Sequence, residues 1–314
     1  MRALVVGAGA VGQVYGRHLA RGGAQVSFLV KPAHAAELAG PLTLYPLNRR
    51  QRTQPVSFEG FGLLTDPAAA ARERWDQVYL TVSSPALRAG DWFARLAAGL
   101  GESTLVLLQP GPEDRRFTEQ HVSAERIVQG VITLISYRAP LPGETRFPRP
   151  GVAYWFPPFA ASPMSGPAVG PVLAALHTGG LPARRHRNIG ALSSFPTALL
   201  MPLMAVLERA GWSFRKIREP GRLELAAQAA REALRVVAQH EGRPAPWPLH
   251  LVNHPLVVRL AVALAPRLMP LDIERYLEVH FTKVGDQTRD FLGTYRRLGQ
   301  AAGLPTEGLA QLEA

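Results

Sequence analysis

The stretch Arg2-Ala3-Leu4-Val5-Val6-Gly7-Ala8-Gly9-Ala10-Val11-Gly12 decides the fold. Residues 3–6 are uniformly apolar, as in a strand buried on both faces. The glycines that follow each have a physical task. Gly7 permits the tight turn from strand to helix, Gly9 lets the backbone approach a pyrophosphate, and Gly12 lets helix and strand pack closely. The amides of Ala10 and Val11 then open a helix whose N-terminus favours negative charge. Val11, Tyr15 and Leu19 form its apolar face, Gly22-Gly23 ends it, and residues 25–30 supply the next strand. Strand, glycine turn, helix and strand in this order predict a Rossmann-type dinucleotide site.

The end of the second strand sets the cofactor. A carboxylate there would bind the ribose 2′-hydroxyl of NAD. The sequence reads Val30-Lys31-Pro32-Ala33-His34, with no acid before Glu37. A cation suits a 2′-phosphate, so NADPH is predicted, with Lys31 beside that phosphate.

Working outward, strands are predicted over 42–45, 56–58, 78–82, 105–108 and 127–135, with helices over 67–74 and 85–96. Strand and helix alternate, the pattern of an α/β parallel sheet. A last sheet strand at 152–156, a helix at 168–177 and a short strand at 182–185 complete this part. Beyond residue 188 the strand signal disappears. Residues 191–210, 223–240, 255–265 and 271–302 all show helical spacing, and the Pro-rich stretch 243–248 separates two of them. The fold class is therefore α/β: a Rossmann-type parallel-sheet domain over 1–187, followed by an all-helical domain over 188–314. The second domain is assigned to substrate binding and to a homodimer contact.

Composition narrows the chemistry. The 314 residues include no cysteine, so thiolate catalysis, disulfides and Cys-based metal sites are excluded. The net charge is +11, but the cations are scattered, and all but three of the 35 are arginine. The densest groups, around Arg49-Arg50 and Arg184-Arg185, are short and read as solvated surface, so no nucleic-acid partner is expected. His250 and His254 flank a turn without carboxylates at metal spacing, and no metal is expected. The apolar run at the start stops after four residues and no segment is long enough to span a bilayer. Neither a secretory signal nor a membrane partner is expected, and the protein is expected to be cytoplasmic.

The fingerprint at 7–12, the basic residue after the second strand and the helical second domain together resemble the ketopantoate reductase family. The segment 230–242, ending Gln239-His240-Glu241-Gly242, and the tail 290–305, with Gly303-Leu304-Pro305, are similar to helices of that family. The resemblance implies a two-domain, NADPH-dependent reductase of 2-oxo acids. It also implies that Ser83, Gln109 and Pro110, after the 78–82 and 105–108 strands, face the cofactor. The family's catalytic groups are replaced, however. Anchoring on Pro202-Leu203 puts Ser193 where the family has Lys, and Thr197 and Met201 where it has Asn. Ser83 stands for another family Lys, Pro110 for an Asn, and Gln287 falls near the family's Glu.

The helix predicted over 271–302 offers replacements. His280 lies in its apolar stripe, with Lys283, Gln287 and Asp290 on a polar shoulder beside it. A Lys or His lining a cleft can donate a proton to a carbonyl or imine as hydride arrives, so Lys283, His280 and Gln287 are the catalytic candidates. Ser193 and Ser194 are candidates for helix caps or for substrate binding, and Tyr137-Arg138 is a candidate substrate-binding pair. Two functions follow: an NADPH-dependent reductase of a small carbonyl or imine other than ketopantoate, or a non-catalytic NADPH-binding protein.

Overall fold

A computed structural model describes residues 1–109, 113–187, 189–283 and 285–313, with residues 190, 191, 193 and 287 described by their backbone alone. Two compact units are present, Met1–Ile189 and Gly190–Ala314.

The first unit opens with β1 (Arg2–Val6), α1 (Ala10–Arg21) and β2 (Gln25–Leu29). Next come β3 (Leu42–Pro46), β4 (Val56–Phe58), β5 (Gly62–Leu64), α2 (Pro67–Ala71), β6 (Gln77–Leu80), α3 (Ser84–Arg88), α4 (Trp92–Ala97) and β7 (Thr104–Leu107). The unit closes with α5 (Asp114–Glu119), β8 (Ile127–Gly130), β9 (Ile135–Ala139), β10 (Gly151–Trp155), β11 (Ser162–Ser165), α6 (Val169–Thr178) and β12 (Ala183–Arg185).

The main sheet has the order β12-β11-β8-β7-β6-β1-β2-β5. Strands β8 through β5 in that order are parallel, and β11 joins β8 antiparallel. Uniformly apolar strands can be stable only if both faces are covered, and both are. Ala3, Val5, Tyr79, Val106 and Val128 pack with Val14, Tyr15 and Leu19 of α1 and Val172 and Leu176 of α6. Leu4, Val6, Val78, Leu80, Leu105 and Leu107 pack on the other side with Ala70, Phe93 and Leu96. The chain leaves β1 toward β2 on one side and later returns as β6 on the other. That reversal makes the C-terminal end of β1 a topological switch point, the place where open α/β sheets bind ligands.

Five predicted elements are redistributed. The strands at 42–45, 56–58 and 152–156 do not join the main sheet. They form a second, four-stranded sheet in the order β4-β3-β10-β9, with Leu42, Leu44, Val152 and Tyr154 packed toward α1. The predicted strand 127–135 is two strands, β8 and β9, one in each sheet. Apolar residues on both sides of Gln129-Gly130 disguise the change of sheet. The predicted helix 85–96 is likewise two helices, broken at Gly90, whose φ of +67° belongs to the left-handed region.

The second unit is helical: α7 (Gly190–Arg209), α8 (Arg222–Glu241), α9 (Trp247–Val252), α10 (Pro255–Leu268), α11 (Ile273–Lys283), α12 (Gly285–Ala301) and α13 (Glu307–Glu313). The single helix predicted over 271–302 is thus two, α11 and α12. Phe195, Ala198, Met204 and Leu207 of α7 pack with Ala226, Ala229, Ala233 and Leu234 of α8 and with Phe291 and Tyr295 of α12. Glu232 is buried in this core and accepts from the backbone amides of Gly308 (3.0 Å) and Leu309 (2.9 Å). The carboxylate meets the N-terminal amides of α13, which satisfies both the charge and the helix end. Among the described residues no helix is long and apolar enough to cross a membrane.

The interior of the first unit contains a titratable group. His18 of α1 is buried, its Nδ1 lying 2.8 Å from the Gly179 carbonyl, and it meets the rings of Tyr154 and Phe156 edge-on. Burial outweighs the bond to Gly179 and, with Arg17 and Arg21, pulls its pKa from 6.5 to about 4. The ring is neutral in the folded protein, so Nδ1–H donates to the carbonyl. The unfolded chain takes up a proton here below about pH 6.5, whereas the folded one resists until about 4. This contribution is therefore fully present above pH 6.5 and is lost as pH falls toward 4, by about 3 kcal/mol in total. Urea unfolding at pH 7.5 and 4.5 is expected to show that loss, and His18→Gln is expected to flatten it. A variant with the same acid sensitivity as the parent would assign the loss to other groups.

Candidate dinucleotide site

The turn from β1 to α1 is built around one close contact. A Cβ at Gly12 would press into the carbonyl oxygen of Gly7 and would lie 2.8 Å from Thr81 Oγ1. Helix and strand can approach this closely only because Gly12 has no side chain. Gly7 itself has a φ of +93°, and its amide donates to the Leu29 carbonyl at 2.9 Å. Thr81, just past β6, sets its hydroxyl 2.8 Å from the Val6 carbonyl and 2.9 Å from the Gly7 carbonyl. Gln13 of α1 reaches back to the Ala8 carbonyl at 3.0 Å. Both ends of the glycine loop are therefore pinned.

Gly9 differs from the other two. A Cβ built there meets no atom within 4 Å. Its backbone is extended, it precedes α1 without a side-chain cap, and the first turn of α1 carries no acid. Ala10 and Val11 begin the helix, so helix-end amides without a side-chain cap lie next to the open space at Gly9. An anionic dinucleotide fits this cradle: the glycine keeps the approach clear and the helix end favours its phosphates.

Lys31 follows β2, is exposed, and heads a short turn over Pro32–His34. Glu37, the first acid beyond it, is engaged by Arg138 of β9 at 3.1 Å and lies 3.9 Å from His34. Tyr137, the other half of the proposed substrate pair, is buried, and its hydroxyl accepts from Arg146 at 2.8 Å. Burial pushes that hydroxyl up to about 12. The pair is held in the second sheet by Arg146 and Glu37.

Ser83 caps α3, its Oγ accepting from the Ala86 amide at 3.4 Å. Gln109 donates its amide to the Leu80 (3.1 Å) and Val82 (2.6 Å) carbonyls. It thereby ties the end of β7 to the end of β6 and acts first as a positioning residue. Pro110 lies outside the described residues. Thr81 is the residue that sequence reading missed. Only the parallel register of β6 on β1, which pairs Leu80 with Val6, brings it to the glycine turn.

In the second unit, His280 and Lys283 fall together on α11. The ring of His280 stacks on Tyr276 at 5.5 Å and meets Phe281 edge-on at 5.0 Å. Desolvation on that packed side, and then the charge of Lys283, lower its pKa. Lys283, one turn on, is exposed. Gln287 lies on α12, its side chain outside the described atoms. Ser194 donates to Glu241 at 2.9 Å, and Met201 is buried in the helical core. Among the described residues there is no cluster of His, Asp and Glu able to hold a metal ion.

Two substitutions separate architecture from binding. Gly12→Ala is expected to lower stability by roughly 2 kcal/mol or more, because backbone must move. Gly9→Ala is expected to cost less than about 1 kcal/mol, since its methyl enters open space. Denaturant titration of both variants checks this, and equal losses would contradict the geometry. Thr81→Val is expected to loosen the turn, and Thr81→Ser to restore it.

The family model described as ketopantoate reductase PanE/ApbA matches residues 3–160. No curated protein gives a significant match. Solved structures similar over the whole chain include a PanE/ApbA family ketopantoate reductase from Ralstonia eutropha JMP134. It is 20% identical, with a TM-score of 0.74, covering 100% of this chain and 96% of that one. Another is 2-dehydropantoate 2-reductase from Methylococcus capsulatus, 17% identical, with a TM-score of 0.70 and coverage of 100% and 94%. D-Mandelate dehydrogenase in a ternary structure with NADH and anilino(oxo)acetate is 14% identical, with a TM-score of 0.74 and coverage of 100% and 96%. At these identities the likeness is one of fold. The family match spans just over half of the sequence and includes the whole glycine turn, so the chain belongs to the ketopantoate reductase PanE/ApbA family of nicotinamide-dependent oxidoreductases.

Proposed function

We propose that the protein reduces a small carbonyl or imine substrate other than ketopantoate, with NADPH as cofactor. The observation that carries the cofactor class is Gly9, which faces open space at the uncapped start of α1. Gly7, Gly9 and Gly12 with the amides of Ala10 and Val11 would hold the pyrophosphate. Bound NADPH would supply the hydride. Support for NADPH over NADH comes from Lys31, the exposed cation after β2, and from Glu37, the first acid beyond it, which is engaged by Arg138.

The substrate reading rests on side-chain replacement. Ser193, Thr197 and Met201 stand where the family resemblance implies Lys and two Asn, and Met201 is buried among apolar neighbours. A site with those polar groups removed favours a less polar substrate. The protein's own contribution is then to orient the substrate and to deliver one proton. Lys283 is the proposed proton donor, and the lowered pKa of His280, caused by desolvation and then by the charge of Lys283, suits a base or relay. The same replacements favour one alternative, a protein that binds NADPH without turnover.

Lys31→Ala is expected to weaken NADPH roughly tenfold or more while leaving NADH nearly unchanged, since one charge-assisted contact is worth about 1.5–3 kcal/mol. Calorimetry with both nucleotides measures this, and equal losses would remove Lys31 from the 2′-phosphate. NADPH oxidation against oxo acids, ketones, aldehydes and cyclic imines tests turnover. With a substrate in hand, Lys283→Met is expected to reduce turnover by roughly 10²–10⁴-fold at unchanged NADPH affinity. Tight NADPH binding with no substrate in the panel would favour the non-catalytic reading.

A further inference from the structure

Three partly buried arginines of the first unit each have an acid beside them. Arg88 lies 3.6 Å from Asp114, Arg115 2.7 Å from Glu119 and Arg146 2.7 Å from Glu144. Arg17 of α1 is more deeply buried, yet among the described residues it has no carboxylate partner. Its Nη1 donates to the Tyr154 hydroxyl at 3.2 Å. The charges that act on it are themselves cations, Arg21 of α1 and Arg49 beyond β3, and both also act on Tyr154. Burial lowers the pKa of Arg17, the Tyr154 hydroxyl opposes this, and the two neighbouring arginines add to the lowering. A buried guanidinium is normally paired, and like charges close together cost free energy.

The fold brings these groups together from separate elements of one unit. Arg17 and Arg21 are four residues apart and share a face of α1. A Cβ at Gly180 would come 3.4 Å from Arg21 Nη1, so that guanidinium lies over the turn between α6 and β12. Arg49 sits on a loop latched to the end of β10. The Leu47 amide donates to the Tyr154 carbonyl at 2.8 Å, and the Asn48 side chain exchanges two hydrogen bonds, each 2.8 Å, with the Phe156 backbone. Tyr154 is buried, and among the described residues no acceptor takes its hydroxyl hydrogen. The helix dipole favours a cation in the last turn of α1, which accounts for Arg21 alone.

We propose that Arg17, Arg21, Arg49 and Tyr154 form a second anion site, which takes the phosphate group of a small organic phosphate. Arg17 and Arg21 lie about 10 to 16 Å along α1 from its first residue, so the site is distinct from the glycine turn. Guanidinium forks match phosphate oxygens, and the Tyr154 hydroxyl adds a donor where no acceptor competes. A phosphate dianion offers three oxygens and nearly two charges to this set, whereas a carboxylate offers two oxygens and one charge.

Calorimetry with pyrophosphate tests the site. The titration is made in Gly9→Asp, whose carboxylate repels anions from the glycine turn and whose Cβ enters open space. One pyrophosphate per chain is expected to bind in about 150 mM salt, where long-range attraction is screened. Arg21→Gln and Arg49→Gln, each added to that variant, are expected to weaken binding roughly tenfold or more. Arg17→Met is expected to weaken it further, and if it fails to fold the other two variants decide. Without anion, Arg49→Gln is expected to raise the melting temperature, because it relieves repulsion. A fall would mark Arg49 as a structural cation and overturn the proposal. So would loss of pyrophosphate binding in Gly9→Asp, parent affinity in the folded arginine variants, or malonate binding as tightly as pyrophosphate.

Discussion

The first unit depends on the contact between Gly12 and the carbonyl of Gly7. Because a side chain at position 12 would collide with backbone, α1 can leave β1 at this angle and lie flat on the sheet only with glycine there. The same closeness continues along the helix, where a Cβ at Gly16 would come 2.6 Å from the ring of Phe28. Once α1 is seated, Tyr15 and Leu19 enter the core, and the small second sheet packs toward the same helix through Leu44 and Tyr154. Sheet, helix and second sheet therefore share one apolar interior, and the cofactor turn is the place where the chain enters it.

This makes the binding loop unusually well supported. Thr81, Gln13 and Gln109 all direct hydrogen bonds at backbone carbonyls near the strand ends. None of them needs to touch a nucleotide to matter. They hold carbonyls away from the helix-end amides, so the amides remain available to an anion. Preorganisation of this kind removes ordering costs from the binding step.

Much of this was legible in the sequence, for reasons visible in particular residues. The apolar run 3–6 and the glycine spacing are local signals whose structural meaning depends on few neighbours. The second sheet was not legible, because strands at 42–46 and 56–58 look the same whichever sheet they join. Only pairing between residues about 100 apart, such as Leu44 with Val152, tells the sheets apart. β11 was hidden by Pro163, which argues against an inner strand, and α13 by its brevity. The catalytic candidates were the least legible. Their proposed roles depend on which side chains meet a substrate, and helical spacing specifies only that His280 and Lys283 share a helix.

The buried carboxylate of Glu232 carries a consequence for the order in which the helical unit matures. Its two amide partners lie 76 and 77 residues further along the chain. While the ribosome is still making the intervening segment, α7 and α8 can pair, but Glu232 then keeps only the Gln228 amide of its own helix, at 3.1 Å, and has no helix end to receive its charge. The core around it must stay hydrated until α13 is in place. Residues 307–313 therefore act as the closing piece of the unit, and a nascent chain stalled before them would offer chaperones an open, wet core rather than a finished one.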